Sequence, residues 1–324
     1  MALLYDKNGN GCFIAVDGGW IMSILYVIGN GFDLWYGLPT SYSDFHQCHG
    51  SSLEEYSEYF SLGTGPLWHS FENDLGRFAW SSFYDNHNHT DPMADNFRHS
   101  EVYGFEDDLR EQAEGMVEHF KELFTEWIES IDIDDTLAKF PFINNARYLS
   151  FNYTSLLDSL YGINQEKVLH IHGSLTNGGQ LVFGHGLSIH EEPEMDEDGN
   201  SNRHMFSDSE GAAKYPLYKL KKPVDEILER EQNYFQSLHD VNVVVILGHS
   251  LNDIDLPYFR QIFVAAPNSY WIVSYREDEA ESHAQQLEKC GIPTTQFTLS
   301  NIENIPVIIE NLLSGNFNSL KSSS

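Results

Sequence analysis

Residues 24–28, Ile-Leu-Tyr-Val-Ile, form a run with no polar face, and the run stops at Gly29-Asn30-Gly31. An alternating strand can leave one side in water. A continuously apolar one must be covered on both sides, which points to an interior parallel strand lying between layers of helix. Gly29 and Gly31 lack a Cβ, so the turn after the strand can take positive φ and a ligand can approach bare main-chain N–H groups. Such a turn is either a tight βα connection or a phosphate cradle, and the turn by itself does not separate the two.

Further apolar, β-rich runs occur at 147–151, 168–171, 181–183, 242–247, 270–274 and 294–298, with helical patterns in several of the intervals. That alternation predicts an α/β fold with a Rossmann-like, mostly parallel sheet flanked by helices. The interval 52–131 holds no clear strand. Its helices are expected at 67–83 and 107–130, the second with Met116, Phe120, Phe124 and Ile128 spaced by four along one face. Residues 86–101 and 187–211 read as loops, and 214–238 as a helical region that begins in earnest near Pro223. Asp253 and Asp255 are placed to cap a helix starting near Leu256-Pro257. The expected organisation is one domain over 22–315 with a helical insertion at about 52–140. Met22 stands just before the first strand, so 1–21 are expected to be an extension that adds little to the fold. Residues 316–324, rich in Ser, are expected to form a flexible tail.

Charge narrows the partners. Forty-nine acidic against eighteen basic side chains give a net charge of −31, which disfavours nucleic acid held through its phosphates and an anionic membrane surface. A small anionic ligand stays open, because backbone amides hold phosphate without a basic surface. Cys12, Cys48 and Cys290 are far apart and odd in number, which excludes a four-cysteine zinc knuckle and points to a reducing cytoplasm. The acidic stretch 191–200 lacks EF-hand ligand spacing, so it reads as a solvated loop and no metal is expected there.

Four segments carry small or polar residues to the carboxyl end of an expected strand: Gly29-Asn30-Gly31 (followed by Gly37-Leu38-Pro39-Thr40), Ser150-Phe151-Asn152-Tyr153-Thr154, His170-Ile171-His172-Gly173-Ser174 and Gly248-His249-Ser250-Leu251. In open parallel sheets that edge is where ligands bind. His170 and His172 share one side of their strand, with no third metal ligand at a diagnostic spacing. One is expected to be structural and the other to line the site. His87 and His89 read as solvated loop residues, whereas His185 is a weaker candidate for the site. No G-x-S-x-G elbow and no G-x-x-x-x-G-K-[ST] loop is present. Phe32, Trp35 and Tyr36 either shape a ring pocket or belong to the core.

The ordered set GNGFDLWYGLPTSYSDF, SFNYT, IHGS and GHSLNDIDLPYF, covering roughly residues 24–259, resembles the AbiH abortive-infection family of bacterial anti-phage proteins. More distantly it is similar to the sirtuin-like NAD-consuming fold. The resemblance implies an abortive-infection effector, cytoplasmic in a bacterium, that hydrolyses NAD+ to ADP-ribose and nicotinamide. NAD would be a substrate, with no metal required. Asn152 and His172 would be catalytic, His172 as general base and Asn152 orienting the water or ribose. Gly29, Asn30, Gly31, Phe32, Asp33, Thr154, Gly173, Gly248 and Ser250 would hold the dinucleotide. Asp33 would cap the following helix or bind a ribose hydroxyl. Thr154 stands where the sirtuin-like pattern has Asp, and the zinc-binding cysteines of the deacylases are missing, which shifts weight away from lysine deacylation. The alternatives are a nucleotide-binding sensor or scaffold without turnover, and an ADP-ribosyltransferase. A homo-oligomer or another defence-system protein is the partner the resemblance allows.

Overall fold

A computed structural model of the chain describes residues 22–61, 63, 65–175, 178–191 and 193–314, together with the backbone of 2–4, 13–16 and 19–20. The chain divides into two compact units, one made of Met1–Thr40, Ile131–Leu181 and Pro223–Ser324, the other of Ser41–Ser130 and Val182–Lys222.

The first unit carries a six-stranded, all-parallel sheet. Its strands are β4 (Ile24–Ile28), β5 (Arg147–Ser150), β6 (Val168–His170), β7 (Val243–Leu247), β8 (Tyr270–Ser274) and β9 (Phe297–Ser300), in the order β6-β5-β4-β7-β8-β9. Counted from β4 as the first strand, that order is 3-2-1-4-5-6, the doubly wound arrangement of dinucleotide-binding domains. The Rossmann-like expectation is met. Every residue of β4 and of β7 is buried, as strands covered on both sides require. Ile24, Tyr26, Ile28, Val243, Val245 and Leu247 pack with α1 (Asn30–Tyr36), α6 (Leu156–Tyr161) and α12 (Ile305–Leu313). The alternate residues Leu25, Val27, Val244 and Ile246 point to the other side and are wholly buried too. This unit also holds α8 (Val224–Arg230), α9 (Gln232–Ser237), α10 (Leu256–Ala265) and α11 (Ala280–Lys289). Three short strands, β1 (Ala2–Leu4), β2 (Phe13–Val16) and β3 (Gly19–Trp20), make a separate antiparallel sheet. The side chains of 1–21 and the expected tail at 316–324 lie outside the described residues.

The second unit is helical: α2 (Tyr42–Glu54), α3 (Phe71–Leu75), α4 (Trp80–His87), α5 (Ser100–Glu129) and α7 (Ser207–Lys219). The periodicity along α5 buries Leu109, Met116, Phe120, Phe124 and Trp127. Phe45, Phe71 and Phe183 pack around Phe124. Among the described residues no helix is long and apolar enough to cross a membrane.

Four sequence expectations are corrected. The single helix at 67–83 is two, Phe71–Leu75 and Trp80–His87: the first ends at Gly76, which is packed so closely that a Cβ there would meet Leu187 at 2.7 Å and His185 at 3.0 Å. Residues 181–183 form no strand; Leu181 and Phe183 alternate because both are buried by side-chain packing, without ladder pairing. The last strand is Phe297–Ser300, preceded by a turn of 3-10 helix over Thr294–Gln296. The loop expected over 187–211 ends at Ser207, where α7 begins, and the helix is formed well before Pro223; Gly211 and Pro216 lie inside it, with Ala212, Ala213 and Pro216 buried.

The β4 and β7 turns touch through their main chains. Gly29 N–H donates to Leu247 O (2.9 Å) and Gly31 N–H to Gly248 O (2.7 Å). A Cβ on Gly248, whose φ is +66°, would lie 2.0 Å from the Phe32 nitrogen. Gly37 also has positive φ, +85°, but a Cβ there would meet nothing within 4 Å. Gly37→Ala should therefore cost only the left-handed backbone penalty, about 1–2 kcal/mol. Gly248→Ala must in addition push the two main chains apart and should cost more than about 3 kcal/mol, the range reserved for severe core lesions. Urea unfolding of both variants checks this; equal losses would contradict it.

Candidate functional site

The carboxyl edge of the six-stranded sheet brings together residues from four strand ends. Ser150 and His170 are register partners in β5 and β6, so Asn152 and His172 each stand two residues beyond a paired position on neighbouring strands. Gly29–Gly31 follow β4, and Gly248–Ser250 follow β7.

The most constrained group centres on Asp33, which is 1% exposed. One carboxylate oxygen accepts from Asn152 Nδ2 at 2.8 Å and the other from Thr154 Oγ1 at 2.6 Å. Asn152 Nδ2 also donates to Gly29 O at 3.1 Å. Both amide hydrogens of Asn152 are thereby used, while its Oδ1 is buried and has no hydrogen-bond partner among the described residues. An acceptor left in that state costs roughly 1–3 kcal/mol, and native structures keep few of them. Asp33 thus neither caps a helix nor stands at the surface for a ribose hydroxyl, the two roles expected of it. It clamps Asn152, and Thr154 is the second arm of the clamp. Burial pushes the Asp33 carboxyl up to about 6, against the lowering effect of the two hydrogen bonds.

A second group lies around His172, 2% exposed. Its Nε2 is 3.9 Å from Asp255 Oδ1, and His249 Nε2 is 3.6 Å from Asp255 Oδ2. Leu251 N–H donates to His249 Nδ1 at 2.9 Å, so the neutral His249 ring carries its proton on Nε2. Phe151 packs edge-on against both imidazoles, with ring centroids 5.3 Å from His172 and 4.4 Å from His249. Tyr258 of α10 also faces His172 at 5.7 Å. From the sequence His249 reads only as part of the turn after β7 and Asp255 only as a helix cap; neither is expected beside His172. The signal for them was present in the positions themselves, directly after β7 and directly before Leu256-Pro257. Asp255 does occupy the position before α10, but its side chain makes no capping bond.

The glycines behave differently from the phosphate-cradle expectation. Gly29 has φ of −117°, and neither it nor Gly31 has positive φ. Their missing Cβ atoms are used by main-chain packing: a Cβ on Gly29 would meet His249 Cα at 2.6 Å, and one on Gly31 would meet Gly248 O at 2.8 Å. The amides of Gly29, Gly31 and Phe32 are donated within the fold, and Gly248 N–H is donated to Ser274 Oγ at 2.7 Å. Phe32 is a fully buried core residue. Gly173, at φ +84°, makes the turn after β6, where a Cβ would strike Gln180 O at 2.4 Å. Asn30 and Ser250 are exposed at this edge, with Asn30 Nδ2 donating to Thr40 O at 2.7 Å.

The remaining candidates are structural. His170 Nδ1 is 3.3 Å from Asn152 O, and its Nε2 is 3.7 Å from Asp158. His185 belongs to the helical unit, where its Nε2 donates to Leu217 O and its Nδ1 accepts from Leu187 N–H. Cys48 is an exposed free thiol and Cys290 a buried one, whose thiol burial pushes up to about 11. Among the described residues no group of three or more His, Cys, Asp or Glu is arranged to hold a metal ion.

A family model described as Bacteriophage abortive infection AbiH matches residues 25–275, and the chain belongs to that family. No curated protein matches it.

The Asp33 clamp has a pH signature. Its folded-state value, about 6, lies above the ordinary 3.8, so between those two values the native state binds more protons than the unfolded chain. Stability then falls as pH rises through that window and levels off above it, by roughly 3 kcal/mol at most. The difference in unfolding free energy between the parent and Asp33→Asn, measured from pH 4 to 7.5, should decline up to about pH 6.5. A flat difference, or one that rises, would contradict the burial of an unpaired carboxylate.

Proposed function

We propose that this chain is an abortive-infection effector that hydrolyses NAD+ to ADP-ribose and nicotinamide at the carboxyl edge of its parallel sheet. Three things support the reading. The family is one of bacteriophage abortive infection. The 3-2-1-4-5-6 strand order is a dinucleotide-binding arrangement. The ordered Gly29–Gly31, Asn152, His172-Gly173 and Gly248–Ser250 segments are similar to the sirtuin-like pattern.

The observation that carries it is the buried, unspent Oδ1 of Asn152. Two hydrogen bonds fix the amide plane, and one of them runs to a carboxylate that is largely ionised at neutral pH. Donation to a negative partner draws electron density toward Oδ1 and makes it a stronger acceptor. That is the group needed to hold a ribose hydroxyl or a water. In the reaction, the bond between ribose C1′ and the pyridinium nitrogen breaks and its electron pair neutralises nicotinamide. Water adds to C1′, and His172 takes the proton it releases. Positive charge builds on the ribose in between, and fixed polar groups that need no reorganisation stabilise it. The pyrophosphate would rest on the exposed Asn30 and Ser250, because the amides of Gly29, Gly31, Phe32 and Gly248 are already donated inside the fold.

That internal use of the amides, together with Thr154 being bonded to Asp33, favours one second reading: a sensor that binds the nucleotide without turning it over. Purified protein incubated with NAD+ separates the two through nicotinamide release, with calorimetry reporting binding. Under the hydrolase reading, His172→Gln should slow release by about 10²–10⁴-fold while NAD+ still binds. Asn152→Ala should lose turnover and also some stability, since it strips partners from the buried Asp33 and Gly29 acceptors. Release by His172→Gln at the parent rate would contradict the reading.

A further inference from the structure

The turn between β7 and α10 is left-handed on both sides of His249, at no cost at Gly248 and with strain at Leu251. Gly248 has φ of +66°, and Leu251, a fully buried non-glycine residue, has φ of +52°. A left-handed leucine persists where the surroundings over-determine it, and such outliers cluster at working sites. Here two groups do the holding. Leu251 N–H is bonded to the His249 ring, and His283 of α11 meets the His249 carbonyl with Nε2 at 2.9 Å. The strained turn therefore fixes the ring and backbone of one residue, and its Nε2–H addresses one oxygen of Asp255 while the other oxygen addresses His172.

We propose that Asp255 is the positioning residue for His172 and that the His249 turn exists to aim Asp255. Sequence spacing suggests a helix cap at Asp255, yet the carboxylate leaves the helix end and lies between two imidazoles. A carboxylate beside the remote nitrogen of a base holds its ring orientation and tautomer, which is how second-row acids serve catalytic histidines. Among the described residues, those facing His172 include Asp255 just before α10, Tyr258 of α10, Phe151 and Tyr153 from the β5 turn, and His249 through Asp255. Asp255 is a carboxylate in that set. The role assigned to His172 rests on the hydrolase reading above; the arrangement of the three side chains does not.

The test uses the full chain labelled with 15N at histidine, in the parent and in Asp255→Asn, His249→Gln and His172→Gln. Asp255→Asn is close to isosteric; it removes the charge and turns one acceptor oxygen into an NH2 donor. The parent should show His249 as the Nε2–H tautomer. Asp255→Asn should move the ring-nitrogen resonances of both His172 and His249 and leave those of His87 and His185 in place. In turnover of NAD+, Asp255→Asn should lower kcat on the order of 10²-fold at unchanged KM. Combined with His172→Gln it should be no slower than His172→Gln alone, since both act through one ring. A merely structural role would add its loss to that of His172→Gln. Unmoved His172 resonances in Asp255→Asn, or losses that multiply in the double variant, would overturn the proposal. Coupled resonances in a parent protein that releases no nicotinamide would uphold the arrangement and refute the hydrolase reading instead.

Discussion

The contact on which this edge of the sheet depends is between two main chains with nothing between them. Gly29 and Gly31 at the end of β4 lie against Gly248 at the end of β7, and two hydrogen bonds carry the strand pairing past the strands themselves. A side chain on any of the three would force the turns apart. Because the two turns meet, Asp33 is carried on α1 to a fully buried position behind the β5 turn, where Asn152 and Thr154 reach it. The same contact fixes the start of the Gly248–Leu251 segment and with it the direction of His249. At the point where doubly wound sheets usually open a crevice, this chain has backbone on backbone. The polar side chains gather instead at the ends of β5 and β6 and in the turn that leads to α10.

Asp33 is expensive in isolation. A buried carboxylate with two neutral donors and, among the described residues, no cation partner is poorly compensated, which is why burial dominates over the hydrogen bonds and lifts its protonation range. A protein selected for stability alone would do as well with an apolar residue there. What the carboxylate provides is orientation: it occupies one amide hydrogen of Asn152 and leaves Gly29 O to take the other. The network is thus satisfied on the donor side and open at a single acceptor. Half-open networks are costly, and they are found where a ligand or water completes them.

Much of the fold was legible because its strands are wholly apolar and end abruptly. Residues 24–28 and 270–274 coincide with β4 and β8, and the Gly29–Gly31 and Gly248–Ser250 turns mark the ends of β4 and β7. The second unit was harder to read. A proline inside α7 and a glycine near its start look like breaks until the buried Ala212, Ala213 and Pro216 show the helix holding through its packed side. The site was legible as a set of strand ends and not as a set of roles. Asn152, Thr154 and Asp33 do meet, but through a bond from Thr154 to Asp33 that no local spacing implies, since 121 residues separate them. His249 and Asp255 are close in the chain, with a strained turn between them. Their positions after β7 and before Leu256-Pro257 mark the segment, but periodicity carries no information about a left-handed leucine, so nothing in the sequence shows that the two side chains meet.

The central claim is that the spare oxygen of Asn152 receives the ribose of an NAD-derived ligand. The most direct measurement is a crystal structure of the protein with ADP-ribose bound. The account predicts a ribose hydroxyl donating to Asn152 Oδ1, with the Asp33 clamp unchanged and the reacting C1′ on the His172 side. ADP-ribose bound away from the β5 and β6 strand ends, or a structure at saturating ligand in which Oδ1 meets no ribose hydroxyl, would contradict it.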